Sequence, residues 1–123
     1  MYIKSYKDLI VWQKSVELVK EIYRLTAKFP PKEQYGLTMQ MRRAVVSIPS
    51  NIAEGYGRKS PKEYAQHFSI AYGSALELET QVYIAKELTL AEKQDYTSSE
   101  LLLVEVARML NSMTSKMKLN ARR

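Results

Sequence analysis

The chain of 123 residues contains no cysteine, one histidine, four glycines and four prolines. The lack of cysteine excludes a disulfide framework, a thiolate nucleophile and every zinc site that needs sulfur ligands. No apolar run reaches the roughly 18 residues that a membrane span needs, and residues 1–8 lack the apolar core of a signal peptide. We therefore expect a cytoplasmic protein with no membrane segment.

The usual catalytic motifs are missing as well. There is no phosphate-binding G-x-x-x-x-G-K-[ST] loop, no H-E-x-x-H zinc motif and no strand–turn–helix to present a nucleophilic serine. The single histidine, His67, follows Glu63 by one helical turn. These two side chains fall short of the glutamate and histidine set of a di-iron bundle, although a metal-dependent enzyme centred on them stays open as a third alternative. We expect no catalytic residue, no metal and no cofactor.

Positive charge exceeds negative charge, with 19 Lys and Arg against 13 Asp and Glu and a formal net charge of +6. Hydrophobic residues make up 46% of the chain, which is ordinary for a folded domain. The length suits one domain over residues 1–123. The basic balance permits a polyanionic partner without requiring one.

Helical periodicity runs through nearly the whole chain. Apolar residues from Tyr64 to Ala85 recur at steps of three and four, as expected for one face of a helix. Ser60, Pro61 and Glu63 form a strong helix-start signal, whereas Pro30 and Pro31 end the preceding helical pattern. The predicted helices cover residues 7–28, 31–56, 61–88 and 90–118, followed by a short basic tail.

Helices of this length with short connections predict an all-α fold, an antiparallel up-down-up-down four-helix bundle. Pro49 lies inside the second helix, where it removes one backbone hydrogen bond. We therefore expect the second helix to be kinked at this residue.

The segment from residue 42 to residue 60 combines unusual polar choices. At 100° per residue, five of its polar side chains share one face: Arg43, Ser47, Ser50, Glu54 and Arg58. This face is either a solvated surface with weak ion pairs or a contact surface for another subunit or for RNA. Because acids cluster on the third helix, we expect Arg43 to pair with one of them.

The first and fourth helices each carry two adjacent apolar rows, although a bundle needs only about three apolar positions in seven. The surplus is expected to lie outside the monomer core and to favour assembly. The alternative is that these residues pack a thick core.

Several motifs resemble the four-helix-bundle proteins encoded in intervening sequences of bacterial 23S ribosomal RNA genes. The resemblance spans nearly the whole chain and rests on these segments: Val11-Trp12-Gln13-Lys14, Tyr35-Gly36-Leu37, Gln40-Met41-Arg42-Arg43-Ala44, Ser47-Ile48-Pro49-Ser50-Asn51-Ile52-Ala53-Glu54-Gly55, Arg58-Lys59-Ser60 with Glu63, Gly73-Ser74-Ala75-Leu76-Glu77-Leu78-Glu79-Thr80-Gln81, and Arg108-Met109-Leu110-Asn111.

This resemblance implies a bacterial cytoplasmic bundle that assembles as a ring-like homopentamer, in a family without an established enzyme activity. A related group resembles the accessory variability determinants of diversity-generating retroelements, whose basic pentameric barrels bind nucleic acid and the reverse transcriptase. The matched positions bring no catalytic assignment. The residues expected to serve an interface or the structure are Trp12, Arg43, Pro49, Asn51, Glu54, Gly55, Glu77 and Glu79.

We therefore expect a non-enzymatic homo-oligomer, pentameric in form, that binds RNA or another nucleic acid through a basic surface. The alternative is an interaction scaffold for a nucleic-acid enzyme or a ribosomal factor. The predicted nucleic-acid contacts are Arg42, Arg58, Lys59, Lys116, Lys118, Arg122 and Arg123.

Overall fold

Four α-helices dominate the structure, a computed structural model that describes residues 5–121 and the side chains of residues 5–116. The helices are α1 (Ile10–Thr26), α2 (Leu37–Tyr56), α3 (Pro61–Glu87) and α4 (Thr97–Ala121). Short 3-10 turns precede three of them, at Tyr6–Asp8, Pro31–Glu33 and Lys93–Tyr96. The described residues contain no strand, so the predicted all-α class is confirmed.

Ion pairs between helices show how neighbouring helices run. Lys14 Nζ lies 2.9 Å from Glu105 Oε1, whereas Lys28 Nζ, later in the chain, lies 2.7 Å from Asp95 Oδ1. This reversed order makes α1 and α4 antiparallel. Helix α1 packs against α2 and α4, and α3 packs against the same two helices. The chain therefore forms the predicted four-helix bundle, in which the α1/α2 side lies opposite the α3/α4 side.

The first helix begins at Ile10, three residues later than the sequence pattern predicts, because a separate turn precedes it. Ser5 Oγ accepts a hydrogen bond from Lys7 N, and Asp8 Oδ2 accepts one from Ser5 N. This reciprocal capping box stabilises the turn at Tyr6–Asp8 and separates it from α1.

The fourth helix also begins later than predicted, at Thr97 and not at residue 90. Thr89 has a positive φ of 51°, which directs the chain away from α3, and Leu90 is buried beneath the connection. Glu92 N then donates to Asp95 Oδ2 in a capping box, so these residues start a 3-10 turn and not the helix. By contrast, Ser60 caps α3 as predicted, and its Oγ accepts from Glu63 N.

The second helix begins at Leu37 and not at residue 31, because Pro31–Glu33 form a separate 3-10 turn. Helix α2 continues through Pro49 to Tyr56. Just after the proline, Ser50 Oγ donates to the carbonyl oxygen of Val46 over 2.8 Å. The bend that we expect at Pro49 stays a prediction.

The core lies between the four helices, and each helix contributes several fully buried side chains. The largest fully buried side chains, with Tyr96 contributed by the turn before α4, are Val11, Leu18, Ile22, Met41, Val45, Ile48, Ile52, Phe68, Leu78, Tyr96, Val106 and Leu110. Because the core draws on one face of each helix, the opposite faces remain available for contacts with other molecules.

Candidate functional site

The connection between α2 and α3 presents basic side chains in a short, well-defined segment. Helix α2 ends at Tyr56, and Ser60 caps the start of α3, so only residues 57–60 lie between the two helices. Arg58 and Lys59 are both exposed there. The local sequence thus places two predicted nucleic-acid contacts at one end of the bundle.

Antiparallel packing brings further lysines to the same end, which we call the basic end. Besides Arg58 and Lys59, its exposed cations in the described chain are Lys7, Lys62 and Lys116. Lys7 precedes α1, Lys62 lies in the first turn of α3, and Lys116 lies near the end of α4. The other predicted contacts from the tail, Lys118, Arg122 and Arg123, lie outside the residues whose side chains are described.

The two exposed cations of the α2–α3 connection differ in their partners. Arg58 Nη2 lies 2.8 Å from Glu54 Oε1, one helical turn earlier. No ion pair with a described carboxylate involves Lys59. Because exposed pairs of this kind contribute little to stability, a phosphate oxygen can replace Glu54 as the partner of Arg58 at small cost.

Arg42 lies far from these residues and contacts the end of α1. Its Nε donates to Thr26 Oγ1 over 2.9 Å, and its guanidinium lies 4.4 Å from the centre of the Tyr23 ring. The positive charge of Arg42 interacts favourably with the negative, C-terminal end of the α1 dipole. Since 14 residues of helix separate Arg42 from Tyr56, about 21 Å at 1.5 Å per residue, the structure does not bring Arg42 together with Arg58 and Lys59.

A polar seam joins α2 to α3, and it includes Ser47 and Glu54 of the predicted polar face. Asn51 Nδ2 donates to Ser47 Oγ over 3.0 Å, and the hydroxyls of Ser47 and Ser74 lie 3.0 Å apart. Asn51 Oδ1 lies 3.3 Å from His67 Nδ1, which in turn lies 4.0 Å from Glu54 Oε2. Asn51 and Glu54, both predicted to matter, therefore connect the two helices.

Sequence reasoning missed the partners of this seam. Ser47 and Glu54 belong to the predicted polar face, and Asn51 belongs to the residues expected to serve an interface or the structure. Their partners His67 and Ser74, however, are 20 and 27 residues away from Ser47 in the chain. Only the packing of α3 against α2 shows that they complete the seam.

The expected ion pair of Arg43 with an acid of the third helix is wrong. Arg43 and Glu77 line one small groove of about 270 Å³ between α2 and α3, yet no carboxylate of the described chain lies within 4.0 Å of the Arg43 guanidinium. Glu77 instead accepts a hydrogen bond from Gln81, one turn further along α3. Arg43 therefore keeps its charge available at the surface.

Trp12 and Gly55 both take part in packing contacts within the bundle. Trp12 packs against the edge of the core and makes an edge-on contact with Tyr6, with ring centroids 5.3 Å apart. Gly55 is buried where α2 approaches α3, and a Cβ at this position would come within 2.8 Å of His67 Cβ. Both residues support the bundle and are not exposed for binding.

Two surface grooves lie between helices on opposite sides of the bundle. The α1/α2 groove has a volume of about 640 Å³ and is lined by Tyr23, Tyr35, Met39, Arg42, Arg43 and Val46, among others. The α3/α4 groove has a volume of about 310 Å³ and is lined by Glu79, Val82, Tyr83, Lys86, Glu87, Glu100, Leu103 and Val104. Glu79, another predicted residue, thus belongs to the second groove.

The predicted surplus of exposed apolar residues is present on α1 and α4, and it extends to α2 and α3 as well. In α4, Leu101 and Val104 are exposed, as the doubled row predicts. In α1, Ile10 and Tyr23 are exposed, whereas most of the other apolar residues of this helix are buried or half-buried against the core. Further exposed apolar side chains lie on α2 and α3: Met39, Val46, Ile70, Leu76, Tyr83 and Ile84. Both grooves contain members of this set.

The two residues weighed as metal ligands engage different partners. Glu63 accepts a hydrogen bond from Ser60 Oγ, whereas His67 contacts the polar seam. The described part of the chain contains no cluster of three or more His, Asp or Glu side chains suited to a metal ion. In the same part of the chain, no helix combines the length and apolar character needed to cross a membrane.

Comparison with known proteins relates the chain to proteins of the same fold. A crystal structure from Bacteroides thetaiotaomicron, described as a protein with unknown function from the S23 ribosomal protein family, is similar with a TM-score of 0.78 and 22% identity. The match covers 86% of this chain and 96% of that chain, and it shows the shared fold alone. No curated protein matches the sequence.

The sequence itself matches a family over nearly its whole length. Residues 7–112 match the family described as 23S rRNA-intervening sequence protein. The matched range includes all of α1, α2 and α3, the polar seam and both grooves. On this match, the chain belongs to the 23S rRNA-intervening sequence protein family.

Proposed function

We propose that the protein is a non-enzymatic, cytoplasmic homo-oligomer, pentameric in form, that binds RNA or another nucleic acid. The observation that carries the nucleic-acid part is the collection of exposed cations at the basic end, where Lys59 has no carboxylate partner in the described chain. The exposed apolar side chains in both grooves support the assembly part.

Electrostatics explains how such a protein holds a nucleic acid. Lysine and arginine that neutralise phosphates release condensed counterions, so binding is tight at low salt and weakens steeply as salt rises. Each chain has a formal charge of +6. Five copies therefore present about 30 positive charges in one particle, and several weak contacts act together on one long polyanion.

The direct test is a fluorescence-anisotropy titration of mixed RNA fragments at two salt concentrations. We expect the double variant Arg58→Gln, Lys59→Gln to bind every fragment more weakly and with a flatter salt dependence. The matched control is Lys32→Gln, Lys93→Gln, which removes the same charge from the opposite end of the bundle. An equal loss of RNA affinity in both double variants would show that only the total charge matters and would contradict a binding site at the basic end. No binding by the wild type at low salt would refute the proposal.

One observation favours a second candidate, a scaffold for a nucleic-acid enzyme or ribosomal factor. Ile70 and Ile84 are exposed on one face of α3, four turns apart, and belong to neither groove. Apolar side chains there suit a protein partner. A protein that is retained at high salt and released by Ile70→Asp would support the scaffold.

A further inference from the structure

The two grooves carry opposite charge. Arg42 and Arg43 are the charged residues of the α1/α2 groove. The α3/α4 groove has one cation, Lys86, among three glutamates, Glu79, Glu87 and Glu100. Because the grooves lie on opposite sides of the bundle, one copy shows a basic groove on one side and an acidic groove on the other.

Much of this charge is not neutralised within the chain. Lys86 is bound to Glu100 over 3.0 Å, which leaves Glu79 and Glu87 as the excess acids of the α3/α4 groove. Across the bundle, Arg43 has no carboxylate within 4.0 Å in the described chain. Each groove therefore offers charge that the other can pair.

Both grooves also expose apolar side chains next to these charges. Val46 in the α1/α2 groove is 39% exposed, whereas Tyr83 and Val104 in the α3/α4 groove are 65% and 46% exposed. Contact between the grooves would bury these side chains and bring Arg43 near the acids. This combination of apolar contact and complementary charge is typical of a specific protein interface.

We propose that copies of this chain meet head to tail, with the α1/α2 groove of one copy against the α3/α4 groove of the next. This inference rests on the proposed homo-oligomer and names its contact surfaces. A contact between two unlike surfaces leaves one free groove at each end, so copies add until the rotation between them closes a ring, or continue as an open filament if it does not. A symmetric contact of α1/α2 grooves would instead place Arg43 against Arg43, which like charge disfavours.

Cysteine cross-linking tests the contact directly, because the natural chain has no cysteine. We would prepare Val46→Cys, Val104→Cys and the double variant, and treat each with a short bis-maleimide. Both positions are exposed in the described chain, so the variants are expected to fold. The double variant should give a ladder of cross-linked species that ends at the ring size, at five if the ring is a pentamer. Each single variant should give no cross-linked dimer.

The outcomes separate this inference from the proposed function. Dimers from one single variant would show a symmetric contact and overturn the head-to-tail arrangement. An assembled double variant without cross-links would show that copies meet through other surfaces. If light scattering finds the wild type at 14.2 kDa across micromolar concentrations, the proposed assembly itself fails.

Charge reversal gives a second test that does not need cysteine. Arg43→Glu and Glu79→Arg should each weaken assembly, because each places like charges across the contact. An equal mixture of the two variants should regain a mass of at least two chains, since each supplies the groove that the other has lost. Lys93→Glu, in the turn before α4, is the matched control and should leave assembly unchanged. Lack of recovery in the mixture would contradict the pairing of these grooves.

Discussion

Gly55 of α2 lies so close to His67 of α3 that a Cβ on residue 55 would come within 2.8 Å of His67 Cβ. Phe68 stands at the same contact, 3.3 Å from that position. The two helices therefore approach each other closely only because residue 55 has no side chain. This contact fixes the end of α2 next to the basic end and holds His67 near Asn51.

Gly55→Ala should lower the free energy of unfolding. The added methyl group meets a Cβ that cannot move without its helix, and overpacking of this kind costs about 1–3 kcal/mol. The better helix propensity of alanine returns about 1 kcal/mol, so we expect a net loss of up to about 2 kcal/mol in urea unfolding. The control is Gly73→Ala on α3, where nothing lies within 4 Å of the new Cβ. That variant should gain stability, and equal effects at both positions would contradict the close approach.

Arg42→Met should lower the free energy of unfolding clearly, whereas its effect on the affinity for RNA should be small. The variant keeps the apolar stem of the side chain but removes the hydrogen bond to Thr26 and the contact with Tyr23. Loss of a hydrogen bond from a charged group costs about 1.5–3 kcal/mol. Lys59→Gln should show the reverse pattern, with unchanged urea unfolding and weaker RNA binding. If Arg42→Met weakens RNA binding as much as Lys59→Gln does, Arg42 contacts the nucleic acid after all.

Pro49→Ala should weaken assembly while leaving helicity nearly unchanged. Proline costs about 3 kcal/mol relative to alanine in an exposed helix interior, so its presence in the middle of α2 requires a compensating role. We expect that role to be the shape of α2 along the α1/α2 groove, where Val46 and Ser50 flank the proline. Circular dichroism measures the helicity, and light scattering measures the oligomeric mass. An unchanged mass would show that Pro49 does not shape the interface.

The ion pair between Lys28 and Asp95 should make stability depend on pH in the acid range. The hydrogen bond from Lys28 holds the pKa of Asp95 below its ordinary value of 3.8. A carboxylate with a lowered pKa stabilises the folded chain fully above its ordinary value, and this contribution is lost as pH falls through the lowered pKa. Wild type should therefore melt at a higher temperature than Lys28→Met at neutral pH, and the difference should vanish in strong acid. A constant difference across that range would contradict this account.

The number of helices and their approximate positions along the chain could be predicted from local sequence, because apolar spacing and capping act within a few residues. Ser60 and Pro61 show this well, since the structure starts α3 at the predicted residue. The starts of α1 and α4 were less predictable. The pairs Ser5–Asp8 and Glu92–Asp95 each form a capping box, and such a signal is equally compatible with a 3-10 turn and with the first turn of a helix.

The surfaces were harder to predict because they depend on packing between helices. The sequence placed Arg43 on the polar face of α2, but only the structure shows that Glu77 lies near it without an ion pair. Arg42, adjacent in the chain, was predicted as a nucleic-acid contact, and its bond to Thr26 depends on how α2 packs against α1. Helical periodicity defines the faces of one helix and leaves open which residue of another helix meets each face.

The most direct test of the proposed function is the mass of the complex that the wild-type protein forms with a labelled RNA fragment at low salt. Size-exclusion chromatography with light scattering gives this mass and shows whether the label migrates with the protein. We predict a protein mass of about five times 14.2 kDa with the RNA in the same peak, and loss of the RNA from that peak at high salt. A single-chain mass with the RNA migrating separately would contradict the account.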